Sequence, residues 1–166
     1  MTMKSLLAWL LAILACTSQA AWPASGVPPA RDLQKDGAYA QSINGVVLLA
    51  LVGEDCPYCE RVLNEFLIPM SHNKTYQAKV VMRRLEISDD RAIRDFNGRR
   101  TTPADLASQY GYRMVPTVLV LDWKGRMLAK PLVGLTTVDY YGMYLDEAID
   151  HGVAKVRGLP VPPSTL

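Results

Sequence analysis

The chain has 166 residues, with 18 Lys and Arg against 16 Asp and Glu, for a net charge of +2. So even a balance excludes a field large enough to attract nucleic acid or an anionic membrane surface, and neither partner is expected. Of the three cysteines, Cys16 lies near the start, which leaves Cys56 and Cys59 for the body of the chain.

Lys4 is the only charge before Arg31, and it precedes an apolar stretch, Leu6 to Ala15, too short to cross a bilayer as a helix. Residues 1–20 therefore read as a secretory signal peptide, with small residues at Ser18, Ala20 and Ala21 suited to cleavage after Ala20 or Ala21. Ile13-Leu14-Ala15-Cys16 weakly resembles a bacterial lipoprotein box, in which Cys16 would be the acylated residue. After removal of the leader, about 145 residues remain, enough for one domain with a respectable core and not for two. The compartment reached is one in which thiols are not held reduced by cytosolic systems.

Residues 21–40 read as linker and N-terminal extension, because the segment WPASGVPPAR is rich in Pro, Ala and Gly. Asp32 to Ser42 has the pattern of a short helix, against which Gly37 counts. Val46 to Val52 (VVLLALV) is a continuous apolar run of strand length, as a strand covered on both faces requires. Pro57 falls where a first helical turn would begin, and Val62, Leu63, Phe66 and Leu67 recur at helical spacing until Pro69, which is expected to stop or kink the helix. Val80 to Ile87 is a second strand. Ser88 to Arg100 reads as a solvated loop anchored by Phe96, or else as a surface that recognises a partner. Thr102-Pro103-Ala104-Asp105 has the form of a capped helix start before Leu106 to Tyr110. Pro116 to Asp122 and Arg126 to Lys130 flank the turn Asp122-Trp123-Lys124-Gly125 as a hairpin, and Thr137 caps a last helix to about Asp150. Residues 153–166, with three prolines in GLPVPPSTL, read as a flexible tail. Helices and strands alternate, so the fold class is α/β, with the domain proper over residues 41–152.

The cysteines thus sit at a strand-to-helix junction, in Gly53-Glu54-Asp55-Cys56-Pro57-Tyr58-Cys59. A structural disulfide there would close a four-residue ring and restrain almost nothing. Structural zinc would need four ligands, and the only other soft donors, His72 and His151, form no pair. A copper-carrying module using the two thiolates alone remains the non-enzyme alternative. Redox chemistry uses every feature of the stretch. A thiolate at Cys56 sees the positive end of the helix, which raises the fraction ready to attack, and Cys59, one turn on, is placed to resolve a mixed disulfide. Asp55 and Glu54 oppose this, since negative charge near Cys56 disfavours its thiolate.

Met114-Val115-Pro116-Thr117 stands directly before the apolar strand Val118 to Leu121. Together with Cys56-Pro57-Tyr58-Cys59 and the Asp122-x-x-Gly125 turn, it resembles the thioredoxin fold, a central mixed β-sheet flanked by helices, over about residues 41–152. The resemblance implies a cis Val115–Pro116 bond, with Pro116 in the catalytic site beside Cys56 and Cys59. It also implies that Pro57, Tyr58, Val115 and Thr117 meet the client. The Pro-Tyr dipeptide is similar to that of glutaredoxins. Asp95-Phe96-Asn97-Gly98, Thr102, Leu106-Ala107 and Tyr110-Gly111 resemble periplasmic thioredoxin-like proteins of bacterial sulfur-oxidation clusters, of the SoxW type. That likeness implies a monomeric periplasmic thiol–disulfide reductase without metal or organic cofactor. It would act on client proteins with disulfides and be fed by a membrane electron donor of the DsbD or CcdA kind. A disulfide oxidant or isomerase of the Dsb kind is the alternative. The buried acid that assists proton transfer in cytosolic thioredoxins would fall at Ala50, which cannot carry a proton, and Glu54 and Glu60 read as solvated substitutes. Tyr140, Tyr141 and Tyr144 read as packing on the last helix.

Overall fold

The structure, a computed structural model, describes residues 26–164. The expected signal peptide and Cys16 lie outside the described residues. The elements run in the order α1 (Leu33–Ser42), β1 (Val46–Val52), α2 (Pro57–Arg61), a π-helical turn (Val62–Leu67), α3 (Ile68–His72), α4 (Lys74–Gln77) and β2 (Val80–Glu86). Then come β3 (Ile93–Arg94), β4 (Arg100–Thr101), α5 (Pro103–Gln109), β5 (Thr117–Leu121), β6 (Leu132–Val133) and α6 (Val138–Arg157).

The apolar run of β1 forms the centre of a four-stranded sheet in the order β2-β1-β5-β6, parallel to β2 and antiparallel to β5. All seven of its residues are buried. Strand alternation divides them between two cores. Val46, Leu48, Ala50 and Val52 pack with Cys59, Val62 and Leu67 and with Tyr141, Leu145 and Ile149 of α6. Val47, Leu49 and Leu51 pack on the other face with Leu33, Ala40, Phe96 and Leu106.

Several expectations need correction. Pro69 does not stop its helix, which runs on to His72. The Ile68 amide bonds the Leu63 carbonyl five residues back, and this widened turn gives the proline ring room that an α-helical turn denies it. The segment from Gly26 to Asp32 is not a linker. Arg84 donates to Pro28 at 2.9 Å and accepts from Ala30 at 2.8 Å, so the segment adds a parallel bridge to the outer edge of β2, with Val27 and Ala30 buried. Proline is compatible with such an edge because the ladder there lacks a second neighbour. At the other end α6 continues to Arg157, burying Val153 and Ala154, and stops at Gly158 in the left-handed conformation. The hairpin's return limb begins as expected at Arg126, where the Asp122 amide donates to the Arg126 carbonyl and the Leu128 amide to the Val120 carbonyl, both at 2.9 Å, around the Leu121–Met127 bridge. It does not run on to Lys130 as a strand; ladder pairing resumes at Leu132–Val133. Pro131 stands between the two pieces and has no amide to offer a ladder.

Gly37 is no flaw in α1. A Cβ there would lie 2.5 Å from the Trp123 carbonyl oxygen, so glycine lets the helix rest on the 122–125 turn. Ser88 to Arg100 is likewise not a plain loop, since it folds into the β3–β4 hairpin. Its turn, Asp95-Phe96-Asn97-Gly98-Arg99, repeats Asp122-Trp123-Lys124-Gly125-Arg126 bond for bond. In each, the buried Asp accepts amides two and four residues on, and its second oxygen takes the arginine Nε, at 2.9 and 2.6 Å. The ring of Phe96 ties the turns together, occupying the space where Gly125 has no side chain.

Candidate active site

Leu51 pairs with Thr117, so the end of β1 and the start of β5 lie side by side, and the chain segments beyond them share one edge of the sheet. A Cβ built on Gly53 would sit 3.2 Å from Val115 Cγ2, which shows how closely the two loops approach. Asp55 then takes a left-handed conformation, φ +49°, to turn the chain from the strand into α2. Asp is among the residues that tolerate this region. The Glu54 amide donates to Ser88 Oγ at 3.3 Å, which ties the turn to the chain leaving β2.

Cys56 is the N-cap of α2. Its sulfur accepts the Cys59 amide at 3.2 Å and its carbonyl takes the Glu60 amide at 3.1 Å. Pro57 comes next, in the first turn, where its missing amide costs no bond. Cys56 and Cys59 form a disulfide, with Cα atoms 5.2 Å apart. The two sulfurs are not equivalent in setting. Cys56 is partly exposed, whereas Cys59 is 2% exposed and belongs to the core cluster that holds Ala50 and Val62.

The Val115–Pro116 bond is cis, as the resemblance implies. The Pro116 carbonyl accepts from the Gly134 amide at 2.8 Å, which anchors this loop to the chain leaving β6. Val115 is half-buried, and neither its amide nor its carbonyl has a hydrogen-bond partner among the described residues. Pro57 and Tyr58 are exposed beside the disulfide. Thr117 departs from its expected role. It is fully buried and its hydroxyl donates to the Met114 carbonyl at 2.7 Å, so its side chain is turned into the loop. Met114, which sequence reasoning misses, is 62% exposed and stands next to Val115. Its position immediately before the Val-Pro-Thr motif is the signal that points to it. Gly53 escapes sequence reasoning too, since nothing in a sequence marks which glycine will touch a distant loop.

Ala50 lies in β1 between Arg84 and Val118 and is fully buried on the Cys59 face. The buried acids of the described residues, Asp36, Asp95 and Asp122, all belong elsewhere. Burial pushes the Asp36 carboxyl up despite Arg83 at 2.6 Å. Tyr141 packs its ring 5.1 Å from Phe66, and burial pushes its hydroxyl up; that hydroxyl and His151 Nε2 have no partner among the described residues. Tyr140 is exposed and Tyr144 half-buried, while His72 lies on the surface. Among the described residues no three His, Cys, Asp or Glu side chains are grouped to hold a metal ion.

A mixed sheet with helices on both faces, a helix-capping cysteine bonded to a buried second cysteine, and a cis-proline loop alongside define a thioredoxin-fold protein equipped for thiol–disulfide exchange. The chain belongs to the thioredoxin-like domain family, whose model matches residues 33–149. No curated protein sequence matches it. Among solved structures it is similar to a thioredoxin-fold protein from Helicobacter pylori, at 18% identity and TM-score 0.51, over 75% of this chain and 94% of that one. It is also similar to oxidized mitochondrial thioredoxin 3 from Saccharomyces cerevisiae, at 12% identity and TM-score 0.50, over 74% of this chain and 92% of that one. At such identities the likeness is one of fold.

Proposed function

We propose that the protein is a periplasmic thiol–disulfide reductase in which Cys56 attacks and Cys59 resolves. The observation that carries the assignment of roles is the unequal exposure of the two sulfurs at the head of one helix. In the reduced protein, the Cys56 thiolate attacks one sulfur of a client disulfide, forming a mixed disulfide and releasing the client's other sulfur as a thiolate. Cys59, having lost its proton to water, attacks Cys56 Sγ, closing the internal disulfide and releasing the second client thiolate. The client gains two electrons and the protein loses two, which a membrane donor of the DsbD or CcdA kind restores. Pro57, Tyr58 and the unpaired main chain of Val115 meet an extended client segment, which adds to the loop as a strand adds to a sheet edge. Pro116 holds that loop in place.

The N-terminal leader supports export, and the Asp95-Phe96-Asn97-Gly98 and Tyr110-Gly111 segments support kinship with SoxW-type proteins; neighbouring sulfur-oxidation genes would test that kinship. The decisive experiment pairs trapping with potential. Cys59→Ser accumulates a mixed disulfide with a denatured disulfide substrate, and Cys56→Ser accumulates none; the reverse pattern overturns the roles. The couple's potential, titrated against glutathione, is expected near the reducing end of the range, about −270 mV, whereas a value near −120 mV makes the protein a disulfide donor.

A further inference from the structure

Away from the disulfide, one surface carries positive charge that no ion pair of the described residues neutralises. β3 and β4 pair so that Arg94 stands directly opposite Arg100. Like charges in that position repel, and the hairpin is less stable for it. Arg31 joins them, since its carbonyl accepts the Arg94 amide at 3.0 Å while Asp32 bridges Arg94 in parallel. With Asp32, Ala92 and Ile93, the three arginines line a cleft of about 250 Å³.

The other arginines of this hairpin are neutralised, Arg91 by Asp89 and Arg99 by Asp95. Among the described residues, Arg31, Arg94 and Arg100 have no carboxylate within ion-pair distance; Arg94 donates to the Gly98 carbonyl at 3.2 Å, and Arg31 exerts a longer-range pull on Asp89. The one carboxylate in the cleft, Asp32, is engaged by the Lys35 amide at 3.1 Å and ammonium at 3.6 Å. α1 begins at the next residue, so the positive end of its dipole adds to the same field.

We infer that this cleft docks an acidic segment of a partner protein, two or more Asp or Glu side chains in sequence. Guanidinium forks match carboxylates in shape and in donor spacing. All three arginines are exposed, so a lone small anion would be screened and weakly held, whereas linked carboxylates bind as one unit. The inference is independent of the redox reading, because its test reads binding and not exchange.

The probe is a fluorescein-labelled hexaglutamate peptide, titrated with the full mature chain and followed by anisotropy at low salt. Binding is expected, and Arg94→Gln/Arg100→Gln weakens it about tenfold or more. A Lys74→Gln/Lys130→Gln protein, which removes the same charge from other surfaces, binds as the parent does. The melting temperature of the arginine variant stays close to the parent's, because the relieved Arg94–Arg100 repulsion offsets the lost Arg94–Gly98 bond, so weaker binding is not a loss of fold. Equal weakening by the lysine variant overturns the inference. Displacement of the peptide by inorganic sulfate at lower concentration than by free hexaglutamate also overturns it, making the cleft a small-ion site.

Discussion

Val115 lies against Gly53, its Cγ2 methyl 3.2 Å from where a side chain at that glycine would start. The contact joins the loop before the cysteines to the loop that carries Pro116, and it is this close because position 53 has no Cβ. Gly53→Ala asks the valine to yield by a few tenths of an ångström, and Gly53→Val asks for far more. Turnover of a disulfide substrate should fall severalfold in the first and further in the second, with unfolding free energy lowered by about 1 kcal/mol in the alanine protein. Unchanged turnover in Gly53→Val would show that the spacing of the two loops does not matter.

Asp55 combines a left-handed backbone with a negative charge next to Cys56. Asparagine tolerates the same conformation and removes the charge. In Asp55→Asn the reduced protein should be alkylated about threefold faster at neutral pH, because a negative charge one residue from Cys56, which disfavours its thiolate, is gone. The gain should shrink as salt is added. A rate equal to the parent's at low salt would mean that the carboxylate is fully screened.

Gly37 and Gly125 both make room for the neighbours around Phe96, the first against the Trp123 carbonyl and the second against the ring itself. Each alanine substitution should cost about 2 kcal/mol or more in denaturant unfolding. Because both disturb the seat of one ring, the double variant should lose less than the sum. Strict additivity would show that the two sites relax separately.

At Asp95, burial pushes the carboxyl up, but the Arg99 amide and guanidinium and the Asn97 amide together outweigh it and hold the group below its ordinary value. A carboxyl lowered on folding contributes stability at pH above the unfolded value, and that contribution is lost as pH falls through the folded one. Asp95→Asn should therefore cost about 1–2 kcal/mol near neutral pH, with a deficit that narrows below about pH 4. A deficit that stays constant down to about pH 3 would assign the loss to geometry and not to charge.

Much of this is legible in the chain itself. The seven apolar residues of β1, the proline after Cys56, the Thr102-Pro103 helix start and the turn ending in Gly125 are local signals, and each produces the element it announces. Local signals also mislead. Proline marks Gly26 to Asp32 as linker and Pro69 as a stop or a kink, yet a sheet edge accommodates the first and a π-helical turn lets the helix run past the second. Thr117 reads as a contact residue because it adjoins Pro116, and only its place in the buried strand shows the hydroxyl turned back to Met114.

The sequence by itself determined the candidate site: two cysteines a helical turn apart at a strand end, and a proline before a second strand. Those are properties of spacing and residue type, which a one-dimensional pattern holds completely. Tertiary structure alone decided that Cys59 is buried while Cys56 is not, that Val115 rests on Gly53, and that Arg31, Arg94 and Arg100 converge on one cleft. Each of these depends on segments far apart in the chain being brought together, Arg31 beside the β3–β4 hairpin or Gly53 beside Val115, which the packing of the whole core decides.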